Sequence, residues 1–178
     1  MRRDLSLFRN YYPLTPSEKF AMFLWFLTRW LFENTWFPRR LRPMFLRVFG
    51  ATIGDSVVIR NSVRIHKPWL VTIGDNCWIG EGAWFISTSR ITLESDVCVS
   101  QKATICAGSH DFKSKSLQLN PQPILIRSGS WICLGAYVLA GVTIGECSVV
   151  SAGEIVRKSL PDYSMLVGGQ VRQIDPPE

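Results

Sequence analysis

A single spacing governs the larger part of this chain. From Ile53 to Val156 an apolar residue recurs every sixth position, as Ile53, Ile59, Ile65; Ile73, Ile79, Phe85; Leu93, Val99, Ile105; Ile126, Ile132, Val138; and Ile144, Val150, Val156. Four places after an anchor the residue is small or slim, as at Cys77, Ala83, Ser89, Val97, Ala103, Ser109, Ser130, Ala136, Val142 and Ser148. Neither a helix of period 3.6 nor an alternating strand holds such a phase over so many residues. A solenoid does, because three strand-and-corner units close a coil of about eighteen residues and each anchor stacks on its equivalent roughly 4.8 Å below. The sequence predicts an all-β solenoid of parallel strands.

The coils are unequal. Ile53 to Ile73 and Ile73 to Leu93 are each 20 residues, so one corner carries two extra residues, whereas Ile126 to Ile144 is 18. Ile105 to Ile126 is 21, which is one step of six plus an insertion of 15. Long loops inside compact repeats are uncommon and usually functional. This one, about 109–123, carries Ser109, His110 and Asp111 where it leaves the scaffold. Lys113 to Pro123 is expected to be the mobile remainder, a lid or a reach into a neighbouring subunit's site.

Residues 1–50 form a basic, aromatic, helical segment. They hold nine Lys/Arg against three Asp/Glu, leaving eleven of each in 51–178, so the whole net charge of +6 sits in the first fifty. Pro13 and Pro16 bound the start of a helix that Thr15 or Ser17 caps. The run FAMFLWFLTRWLFENTW (20–36) is strongly apolar, yet its uninterrupted part falls short of the ~20 residues that span a bilayer. Two readings stay open. The helix closes the first coil or packs on a neighbouring subunit, or it makes a peripheral membrane contact through residues 20–50 with Arg29, Arg39, Arg40 and Arg42 toward anionic lipid. Pro43 to Gly50 reads as a short amphipathic helix stopped by glycine. At the other end the solenoid runs to residue 167, and 168–178 reads as an irregular tail.

Several classes are set aside. No Lys/Arg run with interleaved aromatics marks a nucleic-acid module, so no nucleic acid partner is expected. Five cysteines without C-x-x-C spacing read as small core or corner residues in a reducing compartment. Two histidines 44 positions apart do not suggest zinc, and no metal is expected. Met1 to Tyr12 lacks the apolar centre and cleavage site of a signal peptide, which favours a cytoplasmic protein, at most at the inner face of the membrane.

The repeats Ile53-Gly54-Asp55, Ile73-Gly74-Asp75, Ile79-Gly80 and Ile144-Gly145-Glu146 resemble those of the hexapeptide-repeat acyltransferases. The resemblance covers residues 51 to about 174. It implies a left-handed parallel β-helix and a homotrimer with active sites between subunits. AGSHDF (107–112), WICLGAYVLAGVTIG (131–145), SAGEIVRKSLP (151–161) and VGGQVRQI (167–174) are similar to the maltose, galactoside and exopolysaccharide O-acetyltransferase branch. The front end and LRVFGATIG (46–54) look most like the colanic-acid-type exopolysaccharide enzymes.

That resemblance assigns roles. His110 matches the catalytic histidine, and imidazole is the usual base for deprotonating a sugar hydroxyl. Asp111 beside it is a candidate to orient the ring. Trp131 matches an aromatic along the pantetheine arm of coenzyme A, or is a corner residue like Trp78 and Trp84. The Leu134 N–H matches the oxyanion donor, Ala152 and Gly153 a close approach of cofactor to backbone, and Lys158 and Arg172 the phosphate and adenine contacts. Two departures are Cys133, where the family has glycine, and Gln170, where it has proline. His66, without a visible partner, reads as structural. With His110 it leaves the chain one histidine short of the three that the zinc site of the similarly folded γ-class carbonic anhydrases needs.

The expected activity is acetyl-CoA-dependent O-acetylation of a saccharide acceptor in surface-glycan biosynthesis. An amino-sugar or small antibiotic-like alcohol as acceptor, or a non-catalytic solenoid scaffold, are the alternatives.

Overall fold

The computed structural model describes residues 3–8 and 14–176; Pro13, placed above at the head of the first helix, lies outside them. Helix α1 (Pro16–Glu33) is capped by Thr15, not Ser17. The Glu18 N–H donates to Thr15 Oγ1 at 3.2 Å and the Thr15 N–H to Glu18 Oε2 at 2.8 Å, a reciprocal box that satisfies two otherwise orphaned amides. The helix is apolar on both faces. Trp25 and Phe32 are buried against the first coil, where Trp25 Nε1 donates to the Ile65 carbonyl at 3.0 Å. Phe20, Phe23, Phe26, Leu27 and Trp30 point outward and are exposed.

Helix α2 (Arg42–Val48) follows, sealing the first coil with Leu46. Arg42 departs from the expected lipid-facing set, because its side chain is 1 % exposed and turned inward. Its guanidinium donates to the carbonyls of Phe32, Asn34 and Phe37 at the end of α1 and in the turn beyond, where unpaired C=O groups need donors. Arg42 is therefore a staple between the helices.

From residue 51 the chain coils into three parallel sheets that form the sides of a prism, with strands numbered in chain order. The first side stacks β1 (Thr52–Ile53), β4 (Val71–Ile73), β7 (Ile91–Leu93), β10 (Ile124–Ile126) and β13 (Thr143–Ile144). The second stacks β2 (Val58–Ile59), β5 (Trp78–Ile79), β8 (Cys98–Val99), β11 (Trp131–Ile132), β14 (Val149–Val150) and β16 (Ser164–Val167), ending in β17 (Gln170–Gln173). The third stacks β3 (Arg64–Ile65), β6 (Trp84–Ile86), β9 (Thr104–Cys106), β12 (Tyr137–Leu139) and β15 (Ile155–Val156). The pairing register is that of the anchors: Ile53, Ile73, Leu93, Ile126 and Ile144 stack in one column, Ile59 through Val150 in the next, and Ile65 through Val156 in the third. Every anchor is at most 7 % exposed, and burial of such a side chain contributes about 1.5–3 kcal/mol. Leu160 and Leu166, also buried, extend the first two columns above Ile144 and Val150, the step from Val156 to Leu160 being shortened to four residues.

Corners after the first two sides obey one rule: the residue three beyond the anchor adopts positive φ. It is Ser56, Asn76, Asp96, Gly129 and Cys147 after the first side, and Ser62, Gly82, Lys102, Gly135 and Gly153 after the second. The tail expected to be irregular forms β17, which turns back on β16 as an antiparallel strand with Arg172 opposite Met165.

Candidate active site

The third corner breaks the rule. Ile65 to Ile73 and Phe85 to Leu93 each take eight residues, Ile105 to Ile126 takes 21, and only from Val138 to Ile144 does the step return to six. The two extra residues found in the first coils therefore lie at the corner from which the long loop emerges. Successive coils are tied together there. The His66 N–H donates to the Phe85 carbonyl at 3.0 Å, the Lys67 N–H to Ser87 Oγ at 2.8 Å, and the Ala107 N–H to the Ile86 carbonyl at 3.1 Å. Gly108 presses on the coil below, since a Cβ built there would stand 2.9 Å from Thr88 Oγ1.

The loop is a hydrogen-bonded ribbon, not a slack excursion. Gln122 N donates to Ala107 O at 3.1 Å, Asn120 N to Ser109 O at 2.8 Å and Asp111 N to Gln118 O at 2.8 Å, with His110 bridged to Leu119. His110 is exposed on this ribbon, and its Nδ1 lies 2.7 Å from the Leu117 carbonyl. A carbonyl only accepts, so this contact calls for the proton on Nδ1, and in the neutral ring that makes Nε2 the basic nitrogen, the tautomer a general base needs. Asp111 is engaged elsewhere: its carboxylate accepts from the Lys113 N–H at 2.9 Å. The Leu117 carbonyl fills the orienting role suggested for Asp111, and sequence spacing gave no sign of it.

The other expected residues, Lys158 excepted, are placed elsewhere on the prism. Trp131 is half-exposed on the second side, its Nε1 donating to Ser100 Oγ at 2.8 Å. It shares a column with Trp78, whereas Trp84 belongs to the third side. Leu134, 53 % exposed, stands at the following corner, where among the described residues its N–H meets no backbone acceptor while Cys133 and Gly135 donate to Val150 and Gln101. Ala152 and Gly153 lie one coil above, the Gly153 N–H donating to the Leu134 carbonyl at 2.9 Å. Arg172 is exposed on β17 and Lys158 is exposed at the third corner.

Trp131, Leu134, Ala152, Gly153 and Arg172 thus occupy the second side and the corner after it. His110 occupies the corner opposite that side. A strand advances about 3.3 Å per residue, so a whole side of the triangle separates the Leu134 and His110 corners within one chain.

Burial keeps the nearby thiols neutral: it pushes Cys98 and Cys133 above their ordinary values. His66 is held below its ordinary value by burial first, then by the charges of Lys67 and Arg29. Among the described residues no group of three or more His, Cys, Asp or Glu side chains is arranged to hold a metal ion, and no helix is long and apolar enough to cross a membrane.

No family model matches the sequence. Individual relatives do. A protein of Escherichia coli (strain K12) named as a colanic acid biosynthesis acetyltransferase is 43% identical over 129 residues, 71% of each chain. The chain belongs to the hexapeptide-repeat acetyltransferases. A further relative, a protein of Schizosaccharomyces pombe named as an acetyltransferase, is 33% identical over 139 residues, 76% of this chain and 67% of its own. Among solved structures, a hexapeptide-repeat containing acetyltransferase of Vibrio cholerae, complexed with acetyl coenzyme A, superposes with a TM-score of 0.81 at 18% identity, covering 92% of this chain and 91% of its own. A maltose O-acetyltransferase from Clostridium difficile 630 gives 0.77 at 22% identity, covering 97% and 95%. These likenesses show the fold, the left-handed parallel β-helix of the hexapeptide-repeat acetyltransferases.

Proposed function

We propose that this acetyltransferase takes acetyl from acetyl-CoA and delivers it to a hydroxyl of a saccharide acceptor during surface-glycan synthesis, with His110 as general base. The observation that carries the reading is the His110 Nδ1 to Leu117 carbonyl contact of 2.7 Å, which leaves Nε2 free to accept a proton.

In the step itself, Nε2 removes the acceptor's hydroxyl proton as its oxygen attacks the thioester carbonyl. The C–O bond forms, the tetrahedral oxyanion is met by the Leu134 N–H, and the C–S bond breaks as the imidazolium returns its proton to the departing sulfur. Trp131 lies along the pantetheine arm, Ala152 and Gly153 let the arm approach the backbone, and Lys158 and Arg172 meet the nucleotide's phosphates and adenine. Because His110 and Leu134 stand at different corners of one chain, the base of one copy serves the donor site of another. This supports a homotrimer with sites between subunits.

A lipid-linked acceptor is favoured by the outward stripe of Phe20, Phe23, Phe26, Leu27 and Trp30 beside Arg29, which sits over the Phe26 ring at 4.8 Å. Sedimentation with anionic liposomes tests that part of the reading.

Radiolabelled acetyl-CoA and a saccharide panel test the activity. Wild type labels an acceptor, and His110→Ala loses about 10²- to 10⁴-fold in rate. Equal labelling by both would exclude His110 as the base.

A further inference from the structure

The two helices below the first coil divide their side chains in the same way. On a helix of 3.6 residues per turn Trp25 and Phe32 form one side of α1, and Phe20, Phe23, Leu27 and Trp30 the other. The first side is buried and the second exposed. In α2 Leu46 is buried against the coil, whereas Met44 and Val48, on the side opposite it, are exposed. Trp36 and Leu41, in the connection, are exposed as well, and Trp36 meets Trp30 edge-on at 6.2 Å between centroids. The end of the prism is thus closed by a cap whose inner surface is core and whose outer surface is apolar again. Monomeric proteins in water rarely expose so many large apolar side chains together, and such a patch marks a contact with another protein or with a membrane.

Charge decides between those occupants. Lys19, Arg39 and Arg40 are exposed on the cap, and among the described residues none of the three makes a salt bridge. Arg39 and Arg40 line a cleft of about 350 Å³ with Arg47, which is anchored by donating to the carbonyls of Ile53 and Gly54. The acidic Glu18 is engaged in the capping box of α1, and Glu33 is half-buried. A second copy of this chain seated face to face would set these cations against their own kind, whereas an anionic surface complements them. The residue types agree with a bilayer, in which tryptophan settles at headgroup level and arginine pairs with phosphate. Among the described residues no helix is long and apolar enough to cross it, so the cap lies on the surface.

We propose that the outer surface of α1 and α2 docks the molecule end-on against an anionic lipid bilayer, with Phe20, Phe23, Leu27, Trp30, Met44 and Val48 below the headgroups and Arg39 and Arg40 on lipid phosphates. The helix register links this surface to the His110 corner. Met22 lines a cleft of about 430 Å³ with Phe8, His66, Thr88 and His110, while its neighbour Phe23 is on the docking face. His110 leaves the third coil, two spacings of about 4.8 Å above the first, so docking holds the loop close over the headgroups. The inference deepens the lipid-linked reading above and rests on it only for the use made of the bilayer; docking itself needs neither donor nor acceptor.

Flotation with vesicles of phosphatidylcholine alone, and of phosphatidylcholine with one quarter phosphatidylglycerol, tests it without acetyl-CoA or saccharide. Wild type is expected to float with the mixed vesicles and to be released by high salt. Phe23→Gln combined with Leu27→Gln and Trp30→Gln, glutamine being a good helix former, is expected to lower the partition coefficient about tenfold or more. Arg39→Gln with Arg40→Gln is expected to lower it about fivefold for each charge removed. Unchanged urea midpoints keep a folding defect out of both results. Failure of wild type to float with the mixed vesicles, equal flotation with phosphatidylcholine alone, or a triple variant that floats as wild type does would overturn the docking. So would a lipid-free particle whose mass by light scattering halves in the triple variant, which assigns the face to a second copy. His110→Ala is expected to float as wild type does, so a failure of the acetyl-labelling experiment removes the proposed reaction and leaves the docking standing.

Discussion

The ring of Phe8 stands 6.0 Å from the ring of His110, centroid to centroid, with their planes inclined at 45°. The N-terminal segment is tied to the inserted ribbon nearby, where the Asp4 N–H donates to the Lys115 carbonyl at 3.0 Å. Aromatic pairs of this kind contribute about 0.5–1.5 kcal/mol beyond their area. Phe8→Ala is expected to lower kcat/KM by up to about tenfold, with the melting midpoint nearly unchanged because Phe8 lies outside the solenoid core. A lowered melting midpoint with kcat/KM unchanged would show that the contact is structural only.

A site shared between copies predicts complementation. Chains carrying His110→Ala and chains carrying Trp131→Ala are each expected to be nearly inactive alone. Unfolded together and refolded as mixed oligomers, they assemble some interfaces with an intact His110 from one and an intact Trp131 from the other. Activity in the mixture well above either parent is the expected result; none above the parents would place both residues in a single chain's site.

Glycines in this fold serve two distinct physical needs, and substitution tells them apart. At Gly145 a Cβ would stand 2.3 Å from the carbonyl of Pro161, because the last coil packs directly on it. At Gly135 nothing lies within 4 Å, but φ is +62°. Asparagine tolerates that conformation, so Gly135→Asn is expected to cost under about 1 kcal/mol in urea unfolding. Gly145→Asn overpacks and costs about 1–3 kcal/mol or more. Equal midpoints for the two variants would contradict this division.

Acid sensitivity follows from His66, whose folded pKa is depressed below the ordinary 6.5 by burial and by Lys67 and Arg29. Below pH 6.5 the unfolded chain binds a proton at this position that the folded chain resists. Its contribution to stability is therefore complete above that value and is lost progressively as the pH falls toward the depressed folded value. Urea midpoints of wild type should fall more steeply below pH 6.5 than those of His66→Asn, and parallel curves would argue against the shift.

The anchors made the solenoid legible because a six-residue period has few structural solutions, and each of them, from Ile53 to Val156, is a buried core residue. The place of His110 at the break in the scaffold was legible because a single insertion carried it. What escaped the sequence depended on which corner a residue joined. The spacing of 20 residues between coils was visible, but not that its extra residues gather at one corner, which is what brings His66 and Thr88 beside His110. Trp78, Trp84 and Trp131 look alike in the repeat, and the pairing register separates them. Leu117 acts through a backbone carbonyl, which no side-chain pattern reports. Arg42 resembled its basic neighbours until its carbonyl partners at the end of α1 were known.

The reversal of β17 sets how long the molecule can be. A parallel stack has no internal reason to stop, since each coil offers the next a full row of backbone donors and acceptors. By folding antiparallel on β16 over four residues, the chain presents a short strand running the wrong way for another coil to copy. At the opposite end α1 and α2 occupy the equivalent edge. The chain thus counts its own coils, closing its second side to a further parallel strand.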